Sequence, residues 1–327
     1  MSFLAKFLYD QFFVTPKYPA ESYSGQTIIV TGSNVGLGFE AARHIARLGA
    51  EKTILAVRSL EKGAAAKESI VSSTGCAESA VEVWQLDLSS YESVKQFAQR
   101  AQGLKRLDAI VENAGIATSD FKLAEDNEST VTVNVVSTFL LALLILPKLQ
   151  ETATKFNKVP HLIIVSSEVH FFTPFPEHKS ENIFKTLNDK NSARMSDRYN
   201  VSKLLEVFTV REMAPRMSSS GKPKVILSCL NPGLCHSELT RDVNGVRGAF
   251  ISFMKLVVGR TTEVGSRTLV ASVDAGGESH GEYMSNGVVA GVAPLVTGSE
   301  GPTIQKQVWA ELSQKLEKIQ PGVTNNL

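Results

Sequence analysis

At 327 residues, with 34 basic against 33 acidic side chains and a formal net charge of +1, the chain has no global field to draw it to nucleic acid or an anionic membrane. An apolar fraction of 43% supplies a substantial core, and 20% charged residues argues against a disordered chain. Cys76, Cys229 and Cys235 show neither CxxC nor metal-ligand spacing, which suits buried free thiols in a reducing, cytoplasmic setting.

The first residues, Met1 to Leu8, lack a basic start followed by a long apolar run, so they read as neither a secretory signal nor a membrane span. Phe3, Leu4, Phe7, Leu8, Phe12 and Phe13 recur at helical spacing, and residues 2–14 are expected to form an amphipathic helix within an extension over 1–24. Its expected role is to cap the core, with peripheral membrane contact as the alternative. Beyond Pro16 and Pro19, apolar strand runs alternate with helical stretches. TIIVT (27–31) is a strand, followed by a helix over 39–48. TILAV (53–57) and VEVWQL (81–86) are strands with a polar helix over 60–72 between them. Ala109 to Val111 lies in a fourth strand, and a long apolar helix covers 129–150. HLIIV (161–165) and VILSCL (225–230) are strands flanking a helix over 199–217, and residues 301–319 read as a surface helix. This rhythm, without linker or repeat, predicts one doubly wound α/β domain over 25–327, a parallel sheet of about seven strands with helices on both faces. Ligands of such sheets bind beyond the carboxyl ends of the strands.

Directly after the first strand stands Thr31-Gly32-Ser33-Asn34-Val35-Gly36-Leu37-Gly38. Gly32 suits a tight turn, Gly36 the approach of backbone to pyrophosphate, and Gly38 close helix–strand packing. A helix N-terminus here offers N–H groups and partial positive charge to phosphates. Arg58 follows the second strand, where an NAD enzyme is expected to place Asp or Glu. Its guanidinium suits a 2′-phosphate, which favours NADP(H).

The loop TGSNVGLG resembles the TGxxxGxG signature of short-chain dehydrogenases, and the resemblance runs almost to the C-terminus. It implies a Rossmann domain in which Asp87-Leu88 meets adenine and Asn113-Ala114-Gly115 braces the fourth strand against the cofactor. It likewise implies that Pro232-Gly233-Leu234 lies at the nicotinamide, with Ser237 at the carboxamide. Order and spacing are most similar to the retinol-dehydrogenase and carbonyl-reductase branch, and LAVRSLEKG (55–63) resembles reductases of fungal secondary metabolism. Glu112 departs from the family, which usually has a second Asn before this motif.

Tyr199 and Lys203 stand at i and i+4, one turn apart on one helix face. A free phenol has a pKa of about 10, and both the lysine ammonium and an oxidised nicotinamide are expected to depress it. The resemblance places the catalytic serine at Ser167, the second of the pair closing HLIIVSS, donating to the substrate carbonyl. It places at Asn134 the asparagine that interrupts the long helix and holds a water for proton relay. A second YxxxK, Tyr91 and Lys95, lacks a strand-end serine and reads as a solvated helix face. Gly277-Glu278-Ser279-His280-Gly281 fits GxSxG, but no strand precedes it, so it reads as a turn and not a nucleophile elbow.

Insertions are expected near 168–198 and 235–260. The aromatic run Val169 to Pro176 is expected as a lid or a substrate wall, and Phe250, Phe253 and Met254 suggest an apolar substrate. His170, His178 and His236 have no metal-ligand pattern, and no metal is expected. The expected partner is a small carbonyl or alcohol, acting on a monomer or homodimer. A non-catalytic nucleotide-sensing scaffold and an epimerase or dehydratase with bound nicotinamide are the competing readings.

Overall fold

The run TIIVT is buried at all five positions, as a strand covered on both faces by helices must be. It is the centre of the fold. The computed structural model describes residues 3–240, 243 and 245–327. In chain order they form α1 (Phe3–Phe13), β1 (Thr27–Thr31), α2 (Gly36–Arg47), β2 (Lys52–Val57), α3 (Leu60–Thr74), β3 (Val81–Gln85), α4 (Tyr91–Gln102) and β4 (Ala109–Glu112). A small hairpin, β5 (Leu123–Ala124) and β6 (Asn127–Glu128), leads into α5 (Ser129–Val131), a π-helical turn (Thr132–Ser137) and α6 (Thr138–Phe156). Then come β7 (His161–Val165), α7 (Ile183–Leu187), α8 (Met195–Ser219), β8 (Ile226–Asn231), α9 (Gly245–Val258), α10 (Thr262–Val273), β9 (Tyr283–Ser285), β10 (Val288–Val289), α11 (Pro294–Thr297) and α12 (Gly301–Ile319).

The main sheet has the order β10-β9-β8-β7-β4-β1-β2-β3. Its seven strands β1–β4 and β7–β9 run parallel, and the two-residue β10 adds an antiparallel edge. The doubly wound expectation holds, with this edge strand added. From β1 the chain builds outward through β2 and β3, then returns to lay β4 on the other side of β1. The crevice between β1 and β4 is therefore the switch point where ligands bind in such sheets.

Each face of the sheet has its own core. One is filled by α4, α6, α8 and α12, through Phe97, Phe139, Leu143, Phe208, Trp309 and their neighbours. The other is filled by α2, α3 and α10, through Ala42, Ile45, Ile70 and Leu269. Ser59 caps α3, its hydroxyl accepting from Lys62 N–H, and Gly75 ends the helix in the left-handed conformation. The stretch Ser129–Phe156 is long and apolar enough to cross a membrane, but 89% of its apolar window is buried within the domain, as befits a core helix. Residues 301–319 are amphipathic rather than merely superficial, burying Ile304, Val308, Leu312 and Leu316 against α8.

α1 departs from the expectation that it caps the core. Phe12 and Phe13 are 54% and 74% exposed, Tyr9 is exposed, and Phe7 and Leu8 are only half-buried. The side chains of Phe3, Leu4 and Phe250 lie outside the described residues. The helix instead docks through its polar groups on the loop after β8. Residues 14–24 then run beside α2 and α10, where the Tyr18 ring lies between Arg47 and Arg267, 4.7 and 5.1 Å from their guanidinium carbons.

Candidate active site

The crevice begins with the glycines of the first loop. Gly32 and Gly36 both take φ of +64°, which disfavours side chains at either position. A Cβ at residue 38 would sit 2.5 Å from Asn113 Nδ2 and 2.7 Å from the Gly32 carbonyl oxygen, so α2 reaches β1 this closely only with glycine there. Val35, at the N-cap of α2, makes no side-chain cap bond, leaving the N–H groups of the first turn facing the crevice. Ser33 is structural, its hydroxyl donating to Val30 O at 2.8 Å, whereas Asn34 and Leu37 are half-buried at the lip. Asn113 Nδ2 donates to Thr31 O at 2.9 Å and Ala114 N–H to Thr31 Oγ1 at 2.9 Å, so this pair braces β4 against β1 as expected. Asp87 closes its own turn, accepting from Ser89 N–H, while Leu88 is buried and Arg58 projects, exposed, after β2. An open helix N-terminus, glycines where backbone must approach a ligand, and a basic side chain at the far strand end together fit a dinucleotide.

Four further side chains meet across β7, α8 and the π-helical turn. The β7 strand ends in two serines with opposite tasks. Ser166 points inward and donates to Lys203 O at 3.0 Å, while the Ser167 hydroxyl faces that of Tyr199 and helps to lower its pKa. Lys203 lies one turn below, its Nζ 5.6 Å from the Tyr199 ring centre, donating to Val165 O at 2.8 Å and to Glu206 Oε1 at 2.7 Å. Asn134 is fully buried in the π-helical turn, a distortion often found at functional sites. Its Oδ1 accepts from Ile116 N–H at 2.9 Å, and its Nδ2 donates to Ile116 O and Ser202 Oγ, both at 3.0 Å. A Cβ on Gly115 would fall 3.2 Å from Asn134 Oδ1 and 3.8 Å from Lys203 Nζ, so this glycine keeps the space between the two side chains open.

Electrostatics set the protonation state of the pair. Burial dominates at Tyr199 and leaves its phenol above the ordinary value. Lys203 pulls it down, Glu206 pushes it up, and Ser167 pulls it down. Burial also works against the Lys203 ammonium, but Glu206 and then Tyr199 outweigh it and leave its pKa raised. Glu206 is pushed up to about 7 by burial, with Lys203 opposing. The chain at neutral pH thus presents a protonated phenol beside a firmly charged ammonium, the right state for an acid.

Sequence reasoning missed the residues that support this set. Glu206 is the buried counter-ion of Lys203, and Ser202, donating to Tyr199 O at 2.7 Å, fixes the Asn134 amide. Arg198, just before Tyr199, forms a buried pair with Glu128 at 3.4 Å, joining α8 to the start of α5. Polar types at helical spacing around YNVSK were the available signal.

Glu112 is buried with neither carboxyl oxygen hydrogen-bonded, and burial, then Glu206, raises its pKa well above the usual range. Folded, it is neutral; unfolded, it ionises near pH 4.3. Its contribution to stability is therefore full below that pH and declines as pH rises, by at most about 1.4 kcal/mol per pH unit. Glu112→Gln escapes this loss. The melting temperature of the variant relative to wild type is expected to rise between pH 5 and pH 8, whereas a constant offset would refute the assignment.

The remaining motifs fall outside the crevice. Tyr91 is not on a solvated face. It is buried, donates to Asp126 Oδ1 at 2.7 Å and accepts from Asn127, while Lys95 pairs with Glu92 on the surface. Ser279 lies in a 3-10 turn and donates to Gly276 O, as the turn reading requires. The aromatic run divides: Phe175 is in the core, Phe171 is half-buried and Phe172 is exposed. His170 is buried between Ser167 O and Ala293 N–H, and burial lowers its pKa to about 4, so it is a neutral structural residue. The cysteines are free, and burial pushes the Cys235 thiol up to about 12. Among the described residues, no group of three or more His, Cys, Asp or Glu could hold a metal ion.

Known proteins agree with this geometry. The short chain dehydrogenase family matches residues 26–175. The chain is 52% identical over 325 residues to the short chain dehydrogenase/reductase dmxR8 of Cryptosporiopsis sp., covering 98% of this chain and 99% of that one. It is 42% identical to the short-chain dehydrogenase anuD of Penicillium roqueforti, covering 97% and 84% of the two chains. Among solved structures, an uncharacterized protein from Mycobacterium Paratuberculosis superposes with a TM-score of 0.67 at 27% identity, over 91% of this chain and 95% of that one. A short chain dehydrogenase from Shigella flexneri 2a, solved with NADP, shares the fold with a TM-score of 0.57 at 21% identity, over 82% and 99%. A near full-length match of this strength, on a crevice that joins a glycine phosphate loop to a Ser-Tyr-Lys set, makes the chain a member of the short-chain dehydrogenase/reductase family.

Proposed function

We propose that the chain is an NADP(H)-dependent reductase that interconverts a carbonyl and a secondary alcohol on a small, apolar organic substrate, in the manner of secondary metabolism. The observation that carries this reading is the convergence of the Ser167 and Tyr199 hydroxyls above the Lys203 ammonium, at the carboxyl ends of the strands. Bound nicotinamide supplies the hydride in reduction and accepts it in oxidation. Ser167 holds the substrate oxygen and Tyr199 gives that oxygen its proton. Lys203, pinned by Val165 O and Glu206, lowers the cost of the phenolate left behind. In oxidation the phenolate takes the alcohol proton. Gly115 keeps the space between Asn134 and Lys203 clear of a side chain.

Arg58, exposed after β2 where no acidic side chain stands, supports NADP(H). Arg58→Asp is expected to cut the preference for NADPH over NADH by roughly tenfold to a hundredfold, the value of a charge-assisted fork to phosphate. Oxidation of both cofactors against a panel of apolar ketones and aldehydes measures this, and unchanged selectivity would remove Arg58 from cofactor choice. Exposed Phe12 and Phe13 on α1, with Phe253 and Leu256 on the neighbouring α9, support peripheral contact of the active-site mouth with a lipid surface.

A further inference from the structure

The loop Pro232 to Ser237, expected at the nicotinamide, is held from outside the Rossmann domain. Gln11 of α1 reaches over it and uses its whole carboxamide there. Nε2 donates to Leu234 O at 3.0 Å and to Val258 O at 2.9 Å, and Oε1 accepts from Leu234 N–H at 3.2 Å. Gly233 lies directly beneath, at φ of +82°. A Cβ there would sit 2.6 Å from Gln11 Oε1 and 2.9 Å from Arg260. Arg260 completes the clamp. Its guanidinium donates to Asp10 O and to Val14 O, capping the C-terminal end of α1, while its N–H donates to Leu234 O at 2.8 Å. Glu168, next to Ser167, lies near enough to Asp10 and Lys6 of α1 and to Arg260 to feel their charges.

We propose that Gln11 is a positioning residue for the cofactor, fixing through Leu234 the loop against which the nicotinamide is held, so that α1 is part of the active site. A carboxamide that pairs with one residue's N–H and C=O imitates a neighbouring strand, and gives a glycine-containing loop the register it lacks alone. The third bond, to Val258 O, ties the same point to the end of α9, so the loop and that helix are set together.

The proposal rests on the dinucleotide reading above, and its test separates the two. In the full-length chain, Gln11→Ala removes all three bonds, and Gln11→Glu keeps the acceptor while losing both donors. In the cofactor-free protein, amide exchange at Leu234 is expected to quicken about tenfold in Gln11→Ala at unchanged melting temperature. Affinity for NADPH, read by nicotinamide fluorescence, is expected to fall about tenfold in both variants, while affinity for 2′-phospho-ADP-ribose, which lacks nicotinamide, stays within about twofold. Wild-type exchange and wild-type NADPH affinity in the variants would overturn the proposal, as would equal losses for the two ligands. Failure of the wild-type chain to bind NADPH would instead sink the dinucleotide reading.

Discussion

Tyr199→Phe is expected to lower the turnover number by about three orders of magnitude while leaving NADPH affinity within about twofold, the range for removal of one positioned acid. The ring stays, so its packing and its contact with Lys203 are retained, and only the dissociable proton is lost. Single-turnover oxidation of NADPH with a ketone substrate separates this loss from binding. Turnover undiminished beyond about threefold would take Tyr199 out of the mechanism and revive the scaffold reading.

The second large effect concerns Lys203. Lys203→Met leaves Glu206 buried without its cation, beside Glu112 whose oxygens have no partner. Breaking a buried pair in this way costs about 3–5 kcal/mol, and Glu206 moderates the cost by taking up a proton. Turnover is expected to fall at least about a hundredfold, because the phenolate loses the ammonium beneath it. Lys203→Met/Glu206→Met removes both charges. Denaturant unfolding is expected to show most of the stability restored, since an apolar pair of similar volume replaces the ion pair, with turnover still lost. If the double variant recovered turnover along with stability, Lys203 would be a structural residue only.

The motifs that had to appear at strand ends were legible because strand and loop chemistry are local. TIIVT followed by glycines at fixed offsets, Asn113 after β4 and Ser167 after β7 are short-range patterns that the sheet merely brings together. Groups whose partner comes from a distant segment were not legible. The docking of Gln11 on Leu234, the pairing of Arg198 with Glu128, and the anchoring of Tyr91 by Asp126 all depend on which loops meet, and periodicity carries no such information. The net state of Tyr199 was not legible for the same reason, although Lys203 pulls its pKa down as expected. Proximity of Lys203 follows from i,i+4 spacing, but the burial that outweighs it is a property of the folded crevice. The apolar spacing of residues 2–14 predicted a helix correctly and its berth wrongly, since the anchoring groups were polar and Tyr9, Phe12 and Phe13 stayed outside.

The π-helical turn over Thr132–Ser137 has one more consequence. A π turn holds one residue more than the regular helix it interrupts, and each residue of an α-helix advances the azimuth by about 100°. Deleting a single residue there would repair the backbone ladder yet swing either Asn134 away from Ile116 or the Phe139–Leu143–Leu146 stripe of α6 away from the core. The segment thus works as a phase shifter between the face that presents Asn134 to the crevice and a packing face, and its length is as constrained as its composition.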